Sequence, residues 1–409
     1  MQICKHFAGF ILLFLSLFYF ILVPISNAFS DFPVWDSYNF NLSSIQTNAV
    51  PSNSIELESQ SAILIEQNSG QILYKKNIHE QLRPASVTKV MSLLLVMEQI
   101  DSGKLSYTDR ISCSENAASM GGSQIWLNST EQLTVDEMLK AVTTVSANDC
   151  VVALAEHIAG TQEAFVTMMN NKAKELGMND TVFKNCHGLD EDGHVTSAYD
   201  IALMSRELLY NHPDITKYTT IYMDSLRDGK SQLVNTNKLI RTYDGATGLK
   251  TGSTSLALYN LSASATRENL SLIAVIMKAP STKVRFAEAK TLLDYGFNNY
   301  SYYEFGKCGS LVKNIPVTKG NVDNIDLVIE SNCGTLISKG TEKNITQSIN
   351  IPDSISAPIE KGQIVGTITY SIDSNVIGTA NIITSASIEK NNLFTIYKRL
   401  FNNWINLSK

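Results

Sequence analysis

Charge is scarce in this chain. Asp, Glu, Lys and Arg make up 18% of its 409 residues, and 33 basic side chains face 39 acidic ones. With a net charge of −6 and no long basic run, electrostatic binding of nucleic acid is not expected. Cysteine is scarce as well: the six are Cys4, Cys113, Cys150, Cys186, Cys308 and Cys333, and no CxxC occurs. That excludes a zinc ribbon or a thioredoxin-like site. Only 9 prolines and 22 glycines are present, too few for a collagen-like chain, while 44% apolar residues exclude a wholly disordered one. No internal repeat is apparent. What remains is a globular chain too long for one ordinary domain and long enough for two.

The N-terminus reads as a targeting segment. Lys5 and His6 give a thin positive start, Phe7–Val23 is a nearly unbroken apolar run, and Pro24 ends it. Ser26-Asn27-Ala28 then sets small residues where a signal peptidase would cut, so residues 1–28 are expected to be removed. The alternative is an uncleaved anchor, since seventeen apolar residues approach the length of a membrane span. Either way the remainder is exported. Cys4 leaves with the signal, and the odd number left is no disulfide framework, although Cys308 and Cys333 fall in one segment and could pair.

Residues 29–55 are polar and irregular, an exposed linker. Order starts at Ser61–Glu66, which with Gln71–Tyr74 flanks Asn68-Ser69-Gly70 as a hairpin. Val87–Ile100, apolar almost all round, is expected as a buried central helix. Thr134 and Glu137 form a capping box opening Val135–Thr143, and further helices are expected over Asp149–Ala159, Gln162–Leu176 and Ala198–Tyr210. Leu256–Ala263 and Leu270–Met277 read as adjacent strands before a helix over Lys283–Tyr295. Strands, then helices, then strands suggest an α+β domain with an antiparallel sheet, over residues 56–300. Residues 305–388 are short β-rich runs (Ile325–Ile329, Ile364–Tyr370, Ile382–Ser385) and read as a small all-β domain. The tail, 391–409, is amphipathic. Leu393, Phe394, Tyr397, Leu400, Phe401, Trp404 and Ile405 share a face opposite Lys398 and Arg399, which suits a helix lying on a membrane surface or, as the bland alternative, one folding back on the β-rich domain.

Three short motifs carry chemistry. Ser86-Val-Thr-Lys89 opens the central helix, where free N–H groups favour negative charge, and Lys89 lies three residues on, on the face of Ser86. A lysine among apolar neighbours loses hydration, which lowers its pKa and lets the amine accept a proton from the hydroxyl. The bland reading of Ser86 is a helix cap, and Ser310-Leu-Val-Lys313 and Ser387-Ile-Glu-Lys390 match the spacing without a buried helix around them. Ser146-Ala-Asn148 sits between two helices, where a hydroxyl and an amide could relay a proton and hold a substrate amide, or where Asn148 or Asp149 simply caps the next helix. Lys250-Thr251-Gly252 is the one such triplet, expected just before an apolar strand; it suits a carboxylate, or is an ordinary turn.

Each motif is weak alone; their order is not. SxxK, SxN and KTG in this sequence resemble the motif set of penicillin-binding proteins and serine β-lactamases. With Arg83-Pro84-Ala85-Ser86, Gly122-Ser123, Ser146-Ala-Asn-Asp149, Gly188-Leu189 with His194, Asn235-Thr-Asn237 and Tyr295-Gly-Phe297, the chain is similar to the low-molecular-weight D-alanyl-D-alanine carboxypeptidases, peptidase S11. The resemblance implies a β-lactamase/transpeptidase-like fold and a hydrolase of peptidoglycan stem peptides that β-lactams acylate, working without metal or cofactor. It implies Ser86 as nucleophile and Lys89 as its base, Ser146 and Asn148 as the second motif, and Lys250, Thr251 and Gly252 as the carboxylate wall. Ser253 is implied to join Ser86 in the oxyanion hole, and Arg285 to lie near the carboxylate pocket. The chain departs from the family at Ala257-Leu258, often Ala-Gly, and at Cys186, often Pro. It implies work at the outer face of the cytoplasmic membrane or in the wall.

Two rivals remain. A β-lactamase of class A usually carries Ser-Asp-Asn and an acidic deacylating base, whereas this motif is Ser-Ala-Asn with a β-rich domain after it. A non-catalytic β-lactam sensor or wall-binding scaffold could dispense with Lys89 or Ser146, yet both are present. Cys186, His187, Asp190, Asp192 and His194 are dense enough to suggest a metal, but without a scaffold for ligation no metal is expected. Cys150 has no histidine to activate it and reads as a small core residue.

Overall fold

A computed structural model describes residues 55–391 and Tyr397. The signal segment and almost all of the linker and tail lie outside the described residues. β1 (Ser61–Glu66) and β2 (Ile72–Lys76) pair antiparallel around the expected turn. The sheet is completed by β3 (Ala246–Thr254), β4 (Leu258–Arg267) and β5 (Leu270–Ala279), in the order β2-β1-β5-β4-β3, with every pairing antiparallel.

β1 and β5 read as unbroken apolar runs because both faces of the sheet are covered. Ile63, Ile65, Ile273, Val275 and Met277 point into a helical core, while Ala62, Leu64, Leu272, Ala274 and Ile276 point the other way. The helical side holds α1 (Lys89–Asp101), α2 (Val135–Thr144), α3 (Asn148–Ala159), α4 (Gln162–Glu175) and α5 (Ala198–Asn211). α1 is buried from Lys89 through Met97, as its apolar circumference requires. The capping box at Thr134 and Glu137 is formed. On the opposite face α6 (Thr282–Asn299) lays Phe286, Ala289, Leu292, Leu293 and Phe297 on the sheet.

β6 (Tyr300–Gly306) leaves α6 and leads into an all-β region made of β7 (Leu311–Thr318), β8 (Asn324–Ile329), β9 (Cys333–Ser338), β10 (Ile345–Asn350), β11 (Ile355–Ser356), β12 (Ile364–Ile372) and β13 (Asn375–Thr384). β6 pairs with β9, and the rest form a six-stranded sheet, β10-β12-β13-β8-β7-β11, over a separate core that includes Leu327, Ile368 and Ile382.

The structure corrects four local expectations. Lys250-Thr251-Gly252 does come before the apolar strand β4, but it is no turn: it lies inside a strand of its own, β3, whose glycines and short polar residues hide the strand signal. Ser86 stands in a 3₁₀ turn, Ala85–Thr88, ahead of α1 rather than within it. The strand expected over Ile382–Ser385 is the end of the longer β13, because Asp373 and Ser374, both at positive φ, turn β12 straight into it. Cys308 and Cys333 are both free thiols.

Candidate active site

The site is built where the 3₁₀ turn before α1 meets the free edge of β3. Ala85 takes φ +49°, which lifts Ser86 out of the chain direction, and Thr88 Oγ1 donates back to Ala85 O at 2.8 Å to fix the turn. Ser86 is half-buried and open to a ligand, whereas Lys89 is fully buried.

Lys89 Nζ has three partners: Asn148 Oδ1 at 2.6 Å, His187 O at 2.7 Å and Ser86 Oγ at 3.0 Å. The first two can only accept, so they take two N–H bonds whatever the protonation state. The third tetrahedral position faces the hydroxyl. In the neutral amine that position is the lone pair, aimed at Ser86. Burial lowers the pKa of Lys89 to about 7, with Cys186 and Asp149 opposing, so neutral amine is abundant near neutral pH.

The second motif lies opposite. Ser146 adopts φ +66°, and its hydroxyl is buried without a hydrogen-bond partner. A left-handed backbone at a non-glycine residue and an unspent buried hydroxyl both cost free energy, and such costs cluster at functional sites. Asn148 does not cap α3; Ala147 holds the cap position, and the Asn148 amide bridges Lys89 to Gly121 O at 2.7 Å. Asp149 is wholly buried, its carboxylate accepting from the backbone N–H groups of Ile125 at 3.1 Å, Leu127 at 3.0 Å and Cys150 at 2.9 Å. The loop over residues 121–127 is thereby fastened to the second motif.

β3 forms the remaining wall. A Cβ on Gly252 would lie 2.8 Å from Val87 N and 2.9 Å from Ser86 N, so only glycine lets the strand reach the nucleophile turn. Ser253, next along, is exposed beside it. Lys250 is buried, with Nζ donating to Thr251 O at 2.9 Å; burial, then the positive charges of Lys89 and Arg285, push its pKa well down. An arriving anion would reverse that shift. Thr251 Oγ1 shares a hydrogen bond with Thr236 Oγ1 at 2.7 Å. Arg285, from α6, donates to Gly252 O at 3.2 Å and Asn260 O at 3.0 Å, and so clasps the KTG strand through its backbone.

The loop from Cys186 to His194 is packed for structure. A Cβ on Gly188, at φ +91°, would fall 1.9 Å from Ala85 O, so this loop presses on the nucleophile turn at a point only glycine can occupy. Burial lowers His187 to about 3 and His194 to about 4, leaving both neutral. His194 Nδ1 accepts from Lys184 N at 3.0 Å, which leaves Nε2–H to donate to Thr88 Oγ1 at 2.8 Å. No group of three or more His, Cys, Asp and Glu among the described residues is disposed to hold a metal. Cys150 is a core residue whose thiol burial pushes well up.

Thus the structure gathers Ser86, Lys89, Asn148 and the KTG strand at one point, with Ser146 turned on its own strained backbone beside Asn148. Sequence reasoning gave Asp149 no part beyond a helix cap and Thr236 none, although both stand within motifs it noticed. Their signal was position alone, and only packing reveals what each holds.

The comparisons agree with this geometry. The D-alanyl-D-alanine carboxypeptidase family (peptidase S11) matches residues 46–281, and the C-terminal domain of penicillin-binding protein 5 matches residues 300–390. D-alanyl-D-alanine carboxypeptidase DacF of Bacillus subtilis is 44% identical over 351 residues, covering 85% of this chain and 90% of that one. The crystal structure of penicillin-binding protein 5 from Haemophilus influenzae superposes with a TM-score of 0.70 at 31% identity, covering 82% of this chain and 99% of that one. Penicillin-binding protein D2 of Listeria monocytogenes, solved in its ampicillin-bound form, is 29% identical with a TM-score of 0.55 and covers 59% of this chain and 99% of its own. With an SxxK nucleophile turn, an SxN loop and a KTG edge strand converging on one cleft, this chain belongs to the D-alanyl-D-alanine carboxypeptidases of the peptidase S11 family and is a serine-type peptidase.

Proposed function

We propose that Ser86 is the nucleophile that removes the terminal D-alanine of peptidoglycan stem peptides. The observation that carries this reading is the 3.0 Å contact between Lys89 Nζ and Ser86 Oγ, with the other two Nζ positions spent on fixed acceptors. Lys89 takes the hydroxyl proton as Ser86 Oγ attacks the penultimate carbonyl carbon. The backbone N–H groups of Ser86 and Ser253 receive the developing oxyanion. When the C–N bond breaks, the leaving amine takes a proton from Lys89 through Ser146 Oγ, and the ester on Ser86 remains. Water, deprotonated by Lys89, then attacks that ester, and Lys89 returns the proton to Ser86 Oγ as the ester C–O bond breaks. Lys250 and Thr251 hold the terminal carboxylate, Asn148 orients the substrate amide, and Gly252 and Arg285 keep the strand at its distance.

A β-lactam enters the same path and stops at the ester, in keeping with the ampicillin-bound relative. Labelled penicillin should therefore form a stable adduct that mass spectrometry places on Ser86, and the purified chain should release D-alanine from a peptide ending in D-Ala-D-Ala. An adduct on another residue, or undiminished labelling of Ser86→Ala, would overturn the assignment.

The same reading extends to place. Residues 1–28 direct export and are removed, residues 29–55 link, a catalytic domain spans 56–300, and a β-rich domain over 305–388 sets it off from the tail. No described helix is long and apolar enough to cross a membrane. The tail at 391–409 rests its apolar face on the outer surface of the cytoplasmic membrane. Flotation with anionic liposomes tests this: the chain should rise with lipid, and a chain ended at residue 390 should stay below. Equal recovery of the two refutes it.

A further inference from the structure

β10 is an open edge. It pairs with β12 on one side, no described residue pairs with it on the other, and Thr346 to Asn350 are all exposed. The other edges of the five- and six-stranded sheets are guarded. β2 carries Lys75 and Lys76, and the Lys76 ammonium reaches Leu57 O. β3 lies against the nucleophile turn, and β11 is only two residues long. β10 has six residues, no charge, no proline and no bulge in its register. An unguarded strand of this kind is a template for another strand.

Its sequence says which strand. Asn344-Ile345-Thr346-Gln347-Ser348-Ile349-Asn350 is a near palindrome about Gln347. Antiparallel partners must belong to the same hydrogen-bonding class, so a two-fold axis between two copies of β10 has to pass through a residue rather than between residues. Centred on Gln347, it sets Ile345 against Ile349, Thr346 against Ser348, and Gln347 against itself, while Asn344 ends the 3₁₀ turn just before the strand. Centred on Ser348, it would set Ile349 against Gln347 and Asn350 against Thr346, and the likeness is lost.

We propose that β10 is a homodimer interface, at which two copies of this chain join their C-terminal sheets through an antiparallel β10–β10 pair about a two-fold axis at Gln347. The contact is isologous and closes on itself, so it stops at two copies. Apolar side chains meet apolar ones, hydroxyls meet hydroxyls, and the two central amides can exchange hydrogen bonds. The partner is a second copy because the strand complements itself and carries no charge to choose an opposite one.

Sedimentation velocity of the full chain in mild detergent, at micromolar concentration, reads the outcome directly. The wild type should sediment as a species of twice the mass of a single mature chain. Gln347→Lys and Gln347→Glu each bring like charges face to face and should raise the dimer dissociation constant about fivefold or more. An equimolar mixture of the two variants should recover the dimer, which a misfolded strand could not do. Penicillin labelling should stay unchanged in both. A monomeric wild type, a Gln347→Lys variant as dimeric as wild type, a mixture that stays monomeric, or open-ended oligomers would each overturn the proposal.

Discussion

The catalytic region and the β-rich region differ most in what they bury. Beneath the five-stranded sheet and its helices lie Glu66, Lys89, Asp149, Asp200, Lys250, Arg285 and Glu288, each less than a tenth exposed; in residues 311–388 the buried polar residue among those described is Thr384. The buried carboxylates all accept hydrogen bonds, although Asp200 Oδ1 has no partner. Glu66 accepts from the N–H groups of Asn68 and Ser69, Asp149 from three backbone amides, Asp200 from Asp180 N, and Glu288 from Ser59 N. Of the buried cations, Lys89 has three partners, but the other two are less fully served. Lys250 has one hydrogen bond, to the carbonyl of the next residue, and Arg285 Nε has none. Burying a cation without an anion is costly unless one arrives. Lys250 and the unpartnered Ser146 hydroxyl both belong to the three motifs, and on the proposed function they wait for an anionic substrate. The β-rich region has an apolar core and, among the described residues, no buried side-chain nitrogen or oxygen without a partner.

The largest test of this contrast is Lys89→Met, which keeps the side-chain volume and removes the base. Loss of general-base assistance should lower the acylation rate by penicillin and kcat/KM for D-alanine release by about 10²–10⁴-fold. The wild type should lose kcat/KM as pH falls through about 7, because protonation of Lys89 removes the lone pair that faces Ser86. That acid limb should be absent from the residual activity of the variant. A variant within tenfold of wild type, or an unchanged pH profile, would mean that another group accepts the proton.

A smaller effect is expected from Lys250→Gln. If Lys250 meets the substrate carboxylate, its loss removes a charge-assisted hydrogen bond in a site closed to water, worth about 2–4 kcal/mol, or roughly thirty- to a thousand-fold in kcat/KM. Thermal stability should hardly fall, because a buried, poorly partnered cation stabilises the free enzyme little. Activity within twofold of wild type would assign carboxylate recognition elsewhere.

How much of this was legible beforehand follows from the same contrast. The helices, the hairpin and the capping box were readable because periodicity and caps are local. So were the three motifs, as an ordered set. What was not readable depends on segments distant in sequence: the His187 carbonyl that takes a Lys89 N–H, the Asp149 carboxylate that ties down residues 125–127, the Thr236 hydroxyl against Thr251. β3 escaped because Gly248, Lys250 and Gly252 are poor strand formers held in place by the neighbouring β4. In the β-rich region the strands were seen as fragments, since the short polar runs there carry weak alternation, and the six-stranded order could not be inferred from them.

The smallest expected effect on activity comes from the deepest cut into the β-rich core. Ile382 on β13 is fully buried and pairs with Ile329 on β8 and Gly366 on β12. Ile382→Ala leaves a cavity that its neighbours fill only in part, and should cost that core about 2–5 kcal/mol. The five-stranded sheet, with α1 and α6 on its two faces, has separate cores, so the nucleophile turn and β3 should keep their places. Denaturation followed by tyrosine exposure should show an early transition absent from the wild type, while kcat/KM on a soluble peptide stays within about twofold below it. If activity instead falls together with the β-rich core, the two regions unfold as one unit, and the β-rich region is no mere support: its stability would then be coupled to the site through the β6–β9 ribbon, where Tyr300 and Leu336 join the sheet core and Phe305 and Cys333 join the other.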